Sequence, residues 1–362
     1  MREKLSHIRC WTGVGVLVSI WMVAGLSQTV PPRKEYVRLG SRVVAVQDFT
    51  PATDTGKRNP AQIAAYNDHE NDGHWAIDRN GNYSWDGTTI DKLVFWRTGN
   101  TTNIPVSGDW NGDGRTKIGI YSNGTWLLDY DGDGLWNPAV DIQVNFGSDG
   151  FKPVVGDWNG TGWSKIGVYK DGTFLLDYNG NFAWDGPQID KAVFFGGQDY
   201  LPVVGDWNGS GTTKIGTYIN STYFIDRNGN FTWDGTGPGN DVTIFWGGSG
   251  YIPVVGDWNG SGWSKIGAYK DGLWLLDYDG DFIWGGTSSD RYESFGSPGY
   301  LPVVGDWHDP GMPATGISKI GVYFNGTWTL DANGNFTSDG PPGDKFFNFG
   351  GTGQIPVVGR WQ

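Results

Sequence analysis

The chain has 362 residues, a formal net charge of −13, 60 glycines and a single cysteine, Cys10. A chain this acidic repels phosphate backbones, which excludes nucleic acid as a partner, and one thiol excludes a disulfide scaffold, a cysteine-ligated metal and cysteine catalysis. With 21 Trp, 16 Tyr and 18 Phe beside those glycines, and no apolar run at helical spacing, the pattern is one of short strands joined by tight turns.

The first 29 residues stand apart. Arg2, Lys4 and Arg9 precede an apolar run from Trp11 to Leu26, with small residues at Val23-Ala24-Gly25 and Gly25-Leu26-Ser27. This is the pattern of a secretory signal, and an uncleaved N-terminal anchor is the alternative; the run is short against the roughly 20 apolar residues of a spanning helix. Removing residues 1–27 takes away three basic and one acidic side chain, so the net charge moves from −13 to −15. Residues 30–42, containing Pro31, Pro32 and Arg33-Lys34, read as a linker into a folded region over 43–362. The expected location is secreted, or attached to the cell surface if the segment is retained.

The folded region repeats itself. Pro-Val-Val-Gly-Asp-Trp, a short Asn-Gly loop, Lys-Ile-Gly-x-Tyr, an aromatic with Leu-Asp, a second Asn-Gly or Asp-Gly turn and Phe-Gly recur in near copies starting at Pro105, Pro153, Pro202, Pro253 and Pro302, and the line restarts at Pro356. A period of about 50 residues marks a solenoid, propeller or array. A degenerate copy precedes these: Asp48-Phe49 and Gln62-Ile63-Ala64-Ala65-Tyr66 align with Asp306-Trp307 and Lys319-Ile320-Gly321-Val322-Tyr323.

In the unit from Pro153, Val154–Trp158, Lys165–Tyr169, Thr173–Tyr178 and Lys191–Phe195 read as four strands, each bounded by Gly, Asn or Asp, the residues that hairpin turns require. One meander cannot bury both its faces, so copies must stack, and radial stacking gives an all-β propeller of four-stranded antiparallel blades. Six blades are expected, with seven as the alternative count. Val43–Asp48 and Pro356–Trp361, both copies of a first strand, are expected to share or compete for the closing seam.

At this point the residues resemble a known family. Gly156-Asp157-Trp158-Asn159-Gly160 with Ile166-Gly167-Val168-Tyr169, and the Phe-Gly before each restart (Phe146-Gly147, Phe195-Gly196, Phe295-Gly296, Phe349-Gly350), are similar to FG-GAP or VCBS repeats over residues 43–361. The resemblance implies the propeller of integrin α chains and of many exported bacterial proteins, and a binding or adhesion role. It also implies calcium in the loop after the first strand, through an Asp-x-Asp-x-Asp-Gly-x-x-Asp pattern. Asp109, Asn111 and Asp113 match its first positions, but the ninth is Lys117, repeated as Lys165, Lys214 and Lys265, and the loop is expected to hold an internal Asp–Lys pair instead of a metal.

The turn between third and fourth strands is the better calcium candidate. Positions 1, 3, 5 and 9 are Asp78, Asn80, Asn82 and Asp86; Asp129, Asp131, Asp133 and Asn137; Asp177, Asn179, Asn181 and Asp185; Asp226, Asn228, Asn230 and Asp234; and Asp331, Asn333, Asn335 and Asp339. Hard cations take six to eight such oxygens, and affinity on the order of 10⁻⁴ to 10⁻³ M is expected of an extracellular module. Plain Asx-capped hairpin turns are the alternative. The copy at Asp277, Asp279 and Asp281 ends in Gly285 and is incomplete, and the loop at Asp129 is the strongest candidate.

Little breaks the symmetry of the repeat as catalysis would require. His69, Glu70, Asp72 and His74 cluster in the first unit, and His308 with Asp309 sits in an enlarged loop of the sixth, without an orienting partner at fixed spacing. No catalytic residue is assigned, and the expected role is a non-enzymatic surface-binding propeller. A lectin is the alternative, with Trp163 and Trp263, in loops where sister units carry Arg115 or Thr212, as sugar-stacking side chains and His308 and Asp309 as ligand contacts; a polysaccharide hydrolase or lyase is the third reading. The expected partner is a protein or glycan at the cell surface, met by a monomer through loops on one face.

Overall fold

Gly156 and Gly167 show why each repeat folds as it does. A Cβ on Gly156 would lie 2.6 Å from the Trp158 ring, so the glycine lets the indole fold back over its own strand, where its Nε1 donates to the Ile166 carbonyl at 3.1 Å. A Cβ on Gly167 would lie 2.8 Å from Leu176, so this strand must be bare for its neighbours to close over it.

The computed structural model describes residues 60–361 apart from 69–72, 97, 99–102, 238 and 309–311, together with the backbone of two earlier strands, β1 (Arg33–Leu39) and β2 (Arg42–Phe49). Strand order runs outward from the centre of each of six four-stranded antiparallel sheets. Blade 2 contains β6 (Ile104–Gly108), β7 (Lys117–Ser122), β8 (Thr125–Leu128) and β9 (Ile142–Asn145); blade 3 contains β10 (Lys152–Gly156), β11 (Lys165–Lys170), β12 (Thr173–Leu176) and β13 (Lys191–Phe194). Blade 4 contains β14 (Leu201–Gly205), β15 (Lys214–Ile219), β16 (Thr222–Ile225) and β17 (Val242–Phe245); blade 5 contains β18 (Ile252–Gly256), β19 (Lys265–Lys270), β20 (Leu273–Leu276) and β21 (Arg291–Ser294). Blade 6 contains β22 (Leu301–Gly305), β23 (Lys319–Phe324), β24 (Thr327–Leu330) and β25 (Lys345–Asn348). Blade 1 is assembled from both ends: β26 (Ile355–Gly359) pairs with β3 (Gln62–Asn67), followed by β4 (His74–Ile77) and β5 (Lys92–Phe95).

The seam is therefore filled by the last strand alone. Val43–Asp48, expected to share it, belongs to β2, which pairs with β1 from Arg33↔Phe49 to Leu39↔Arg42. β1 runs beside the inner strands β10, β14 and β18, and β2 beside β6, β22 and β26, so this hairpin's backbone lies along the ring axis. The stretch read as linker thus carries β1.

A repeated clasp fixes blade to blade. The amide of Asp157 donates to Thr213 Oγ1 at 3.0 Å and the Thr213 amide returns to the Asp157 carbonyl at 2.9 Å. Asp109 with Ser164, Asp206 with Ser264 and Asp257 with Ser318 repeat both bonds. At the fifth boundary Ala61 donates to the Asp306 carbonyl at 3.1 Å, and at the seam the pair is Arg360 with Thr116. Between blades the fill is buried and aromatic, with Trp75, Trp110, Trp126, Trp158, Trp207, Trp258, Trp274, Trp307 and Trp328 almost fully enclosed.

Deleting residues 354–362 strips β3 of its inner partner and opens the seam. The expected result is loss of the cooperative thermal transition followed by circular dichroism. An unchanged melting curve would show that closure contributes nothing.

Candidate functional site

In the first-to-second loops, a lysine ammonium occupies the place of a cation. Lys117 Nζ lies 3.0 Å from Asp109 Oδ1, 2.6 Å from Asp113 Oδ1 and 3.1 Å from the Arg115 carbonyl, which are positions 1, 5 and 7 of the loop. Lys165, Lys214 and Lys265 reach Asp157, Asp206 and Asp257 at 2.6–2.7 Å in the same way. These pairs are almost wholly enclosed, and burial lowers the Lys165 pKa while Asp157 opposes that shift. In blade 6 His308 Nε2 bonds Asp306 Oδ1 and lies 3.3 Å from Lys319 Nζ, which moves the lysine to 3.7 Å from Asp306. His308 is thus built into a loop anchor. Its predicted companion Asp309 lies outside the described residues, as do His69, Glu70, Asp72 and most of the enlarged loop before β3.

The third-to-fourth loops close on themselves. Asp78 accepts from the amides of Gly81 and Tyr83, both at 2.8 Å, and Asp91 from those of Arg79 and Asp86. The side-chain oxygens of Asn80 and Asn82 accept from backbone amides at 3.0 and 2.8 Å, so both NH₂ groups turn toward Asp86 Oδ2. Asn179 and Asn181 with Asp185, Asn228 and Asn230 with Asp234, and Asn333 and Asn335 with Asp339 repeat this. Such loops offer a cation amide hydrogens at positions 3 and 5. Only the all-carboxylate copies bring three acidic oxygens within 4.8 Å of one another: Asp129, Asp131 and Asp133, and equally Asp277, Asp279 and Asp281. In the former, Lys92 Nζ from blade 1 donates to the Gly132 and Asp133 carbonyls at 3.0 and 2.7 Å, and Asn137 Oδ1 accepts from the Ala139 amide.

Burial, followed by the charge of Asp141 or Asp290, pushes Asp129 and Asp277 up to about 7. Burial raises Asp78, Asp177 and Asp226 to about 6.

Trp163 and Trp263 serve packing. A Cβ on Gly180 would lie 2.3 Å from the Trp163 ring, and Lys165 Nζ sits 4.4 Å from the ring centroid; Trp263 stands in the same relation to Gly280 and Lys265.

The tryptophans that face solvent are others. Trp85, Trp136, Trp184, Trp233 and Trp284 are 39–44% exposed, and each directly precedes the ninth position of a third-to-fourth loop. Each packs at 5.4–6.2 Å against an aromatic ending the outer strand of the preceding blade: Phe349, Trp96, Phe146, Phe195 and Trp246. The buried ring holds the indole steeply inclined or edge-on, which fixes it as a platform at the blade boundary. Between blades 1 and 2 the platform forms one wall of a groove of about 310 Å³, with Phe95, Trp96 and Leu127 as the other apolar lining. Among the described residues Thr98, Thr125 and Gln143 supply its polar groups, and none of the described lining residues is charged. The loop aromatic that adopts φ of 62–64° in the other blades (Tyr83, Phe182, Phe231, Phe282, Phe336) is Gly134 here, and Trp96 Nε1 donates to its carbonyl at 2.9 Å.

Together these features define a six-bladed β-propeller with an aromatic groove between blades 1 and 2 and exposed indoles at four further blade boundaries. No protein-family model matches the chain, and no curated protein matches it. Among solved structures it is similar to an Agrocybe aegerita lectin described for specific recognition of non-reducing terminal N-acetylglucosamine, with a TM-score of 0.46, 16% identity, and 80% of this chain and 76% of that chain covered.

Two outcomes are expected. Lys165→Met leaves Asp157 buried without its cation and costs about 3–5 kcal/mol in denaturant unfolding, part of which Asp157→Asn in the same chain restores. The raised carboxylates bind protons more tightly folded than unfolded, so the stability they contribute is complete below about pH 4 and is lost as pH rises through 6 to 7. The melting temperature therefore rises on acidification from pH 8 to 5, and Asp129→Asn with Asp277→Asn flattens that slope.

Proposed function

We propose that the protein is a non-catalytic, multivalent carbohydrate-binding propeller, exported and of the FG-GAP or VCBS type, that holds neutral sugar rings in the grooves between its blades. The observation that carries this reading is the Trp136 groove. Among the described residues it joins an exposed indole and an exposed Phe95 to two hydroxyls and an amide. Its volume stands at the lower end of small-ligand pockets, roughly 300–1,000 Å³, which suits one or two pyranose rings. Apolar C–H faces of a sugar cover the aromatic walls, and its hydroxyls donate to Thr98 and Thr125, whose own protons go to Asn103 and Asn145, while the Gln143 amide can donate or accept. None of those three groups titrates near neutral pH, so the groove binds without a residue suited to general acid or base work.

Recurrence of the platform at five boundaries supports avidity: weak single-site binding becomes firm attachment to a surface that displays many copies of one sugar. The basic and apolar N-terminal sequence supports export to where such surfaces are met. Calcium is retained as a weak ligand proposed for the all-carboxylate loops at Asp129 and Asp277, with no part in the groove.

Screening against immobilised glycans, followed by titration of a captured glycan, tests the reading. Replacing Trp85, Trp136, Trp184, Trp233 and Trp284 by Ala together should weaken binding by at least about 100-fold while sparing the fold, since all five lie outside the core. Full binding by that variant would refute the carbohydrate grooves.

A further inference from the structure

The five Trp grooves are not equivalent, and the residue that distinguishes them sits on the outer strand. Phe95, which shares the groove with Trp136, is the last residue of β5 and pairs across the blade with His74. The same register position is Phe194 in β13, opposite Thr173, and Phe245 in β17, opposite Thr222. These three rings are 62%, 75% and 64% exposed. Phe95 meets His74 of its own blade edge-on at 6.0 Å, yet most of each ring stays in water, and so much exposed apolar surface recurring at one position marks a contact surface. In β9 and β25 the position is Asn145 and Asn348, whose Oδ1 atoms accept from Thr125 and Thr327 at 3.1 and 3.0 Å. In β21 it is Ser294, and the loop facing it carries Ser338 where the others carry tryptophan.

Phe95 thus stands with Trp136; Phe194, Phe245, Asn145 and Asn348 each directly precede the ring that packs on Trp233, Trp284, Trp184 and Trp85, which puts them at the same place of their own boundaries. Building on the carbohydrate reading, we propose that the first three grooves are two-walled clamps selective for pyranoses of gluco configuration, and that the two Asn grooves are single-walled sites without that selectivity. A β-glucopyranoside carries its ring hydroxyls equatorially and so presents axial C–H bonds on both faces, matching two aromatic walls. A galactopyranoside has an axial hydroxyl at C4 that makes one face polar; against a second aromatic wall that hydroxyl loses its water without a partner. Against a single indole the galactoside turns its apolar face inward and leaves the hydroxyl in solvent.

Tryptophan-fluorescence titration with methyl β-D-glucopyranoside and methyl β-D-galactopyranoside tests this. The unaltered protein should bind the glucoside about tenfold more tightly, as expected of one additional aromatic contact. Phe95→Asn, Phe194→Asn and Phe245→Asn combined should abolish the preference, with the glucoside bound less tightly and the galactoside now accepted at those three grooves as at the two Asn grooves, while the melting temperature stays unchanged. Asn145→Phe with Asn348→Phe should extend the preference to the two remaining grooves. The clamp idea is overturned if the triple Phe variant keeps the glucoside preference, or if the unaltered protein binds both glycosides equally. Failure of the broader reading looks different: neither glycoside binds, or binding survives loss of all five tryptophans.

Discussion

An ammonium group set inside a loop carries more of this architecture than any other single contact. Lys165 draws the Asp157 side chain inward and ties down the loop after the first strand. The backbone of that same Asp157 then donates to and accepts from Thr213 of the next blade. One residue therefore serves two structures, its carboxylate closing a loop and its peptide groups setting the spacing between sheets. Because the cation is covalently part of the chain, the loops after the first strands close on a charge of their own. The arrangement also explains the tolerance of blade 6, where a longer loop and His308 replace the short loop yet the Asp306 carbonyl still reaches Ala61.

The grooves follow from that spacing. Each is walled by the outer-strand end of one blade and the third-to-fourth loop of the next, so its width is set by the clasps at the ring's inner side. The loop residue is held by a carboxylate that accepts backbone amides, and in the loops of Trp85, Trp184 and Trp233 two asparagine side chains are spent on the loop itself. Those loops have the composition of cation sites but use their polar atoms internally. Their first aspartates are buried and accept two backbone amides each, which ties the turn that carries the indole to the blade.

Much of the fold was legible in the sequence because its determinants are local. Gly156 and Trp158, Gly167, and the Asn-Gly turns each state a backbone requirement within a few residues, and the restart at Pro356 announces the closing strand. The Asp–Lys pair was equally readable from a charge of the wrong sign at a ligand position. The groove tryptophans were passed over because each groove is made from two units: Trp136 has no meaning until blade 1 places Phe95 and Trp96 beside it. Trp163 and Trp263 drew attention for interrupting the repeat, yet they fill space over Gly180 and Gly280. The signal was present in the recurrence of Trp just before the ninth loop position, in five of six copies, and an aromatic kept at the edge of a hydrophilic loop differs from one kept inside a strand. The course of β1 and β2 was illegible because only the assembled ring creates an axis for them to follow.

Closing blade 1 with β26 has a consequence for how the chain must fold. β3 and its partner Ile355–Gly359 stand at opposite ends of the propeller sequence. Until that segment arrives, the ring lacks an inner strand, and the cost of bringing together such distant segments slows the final step. Blade 1 therefore completes only when both ends of the circle have met, so the most non-local contact of the fold is also the one on which its closure waits.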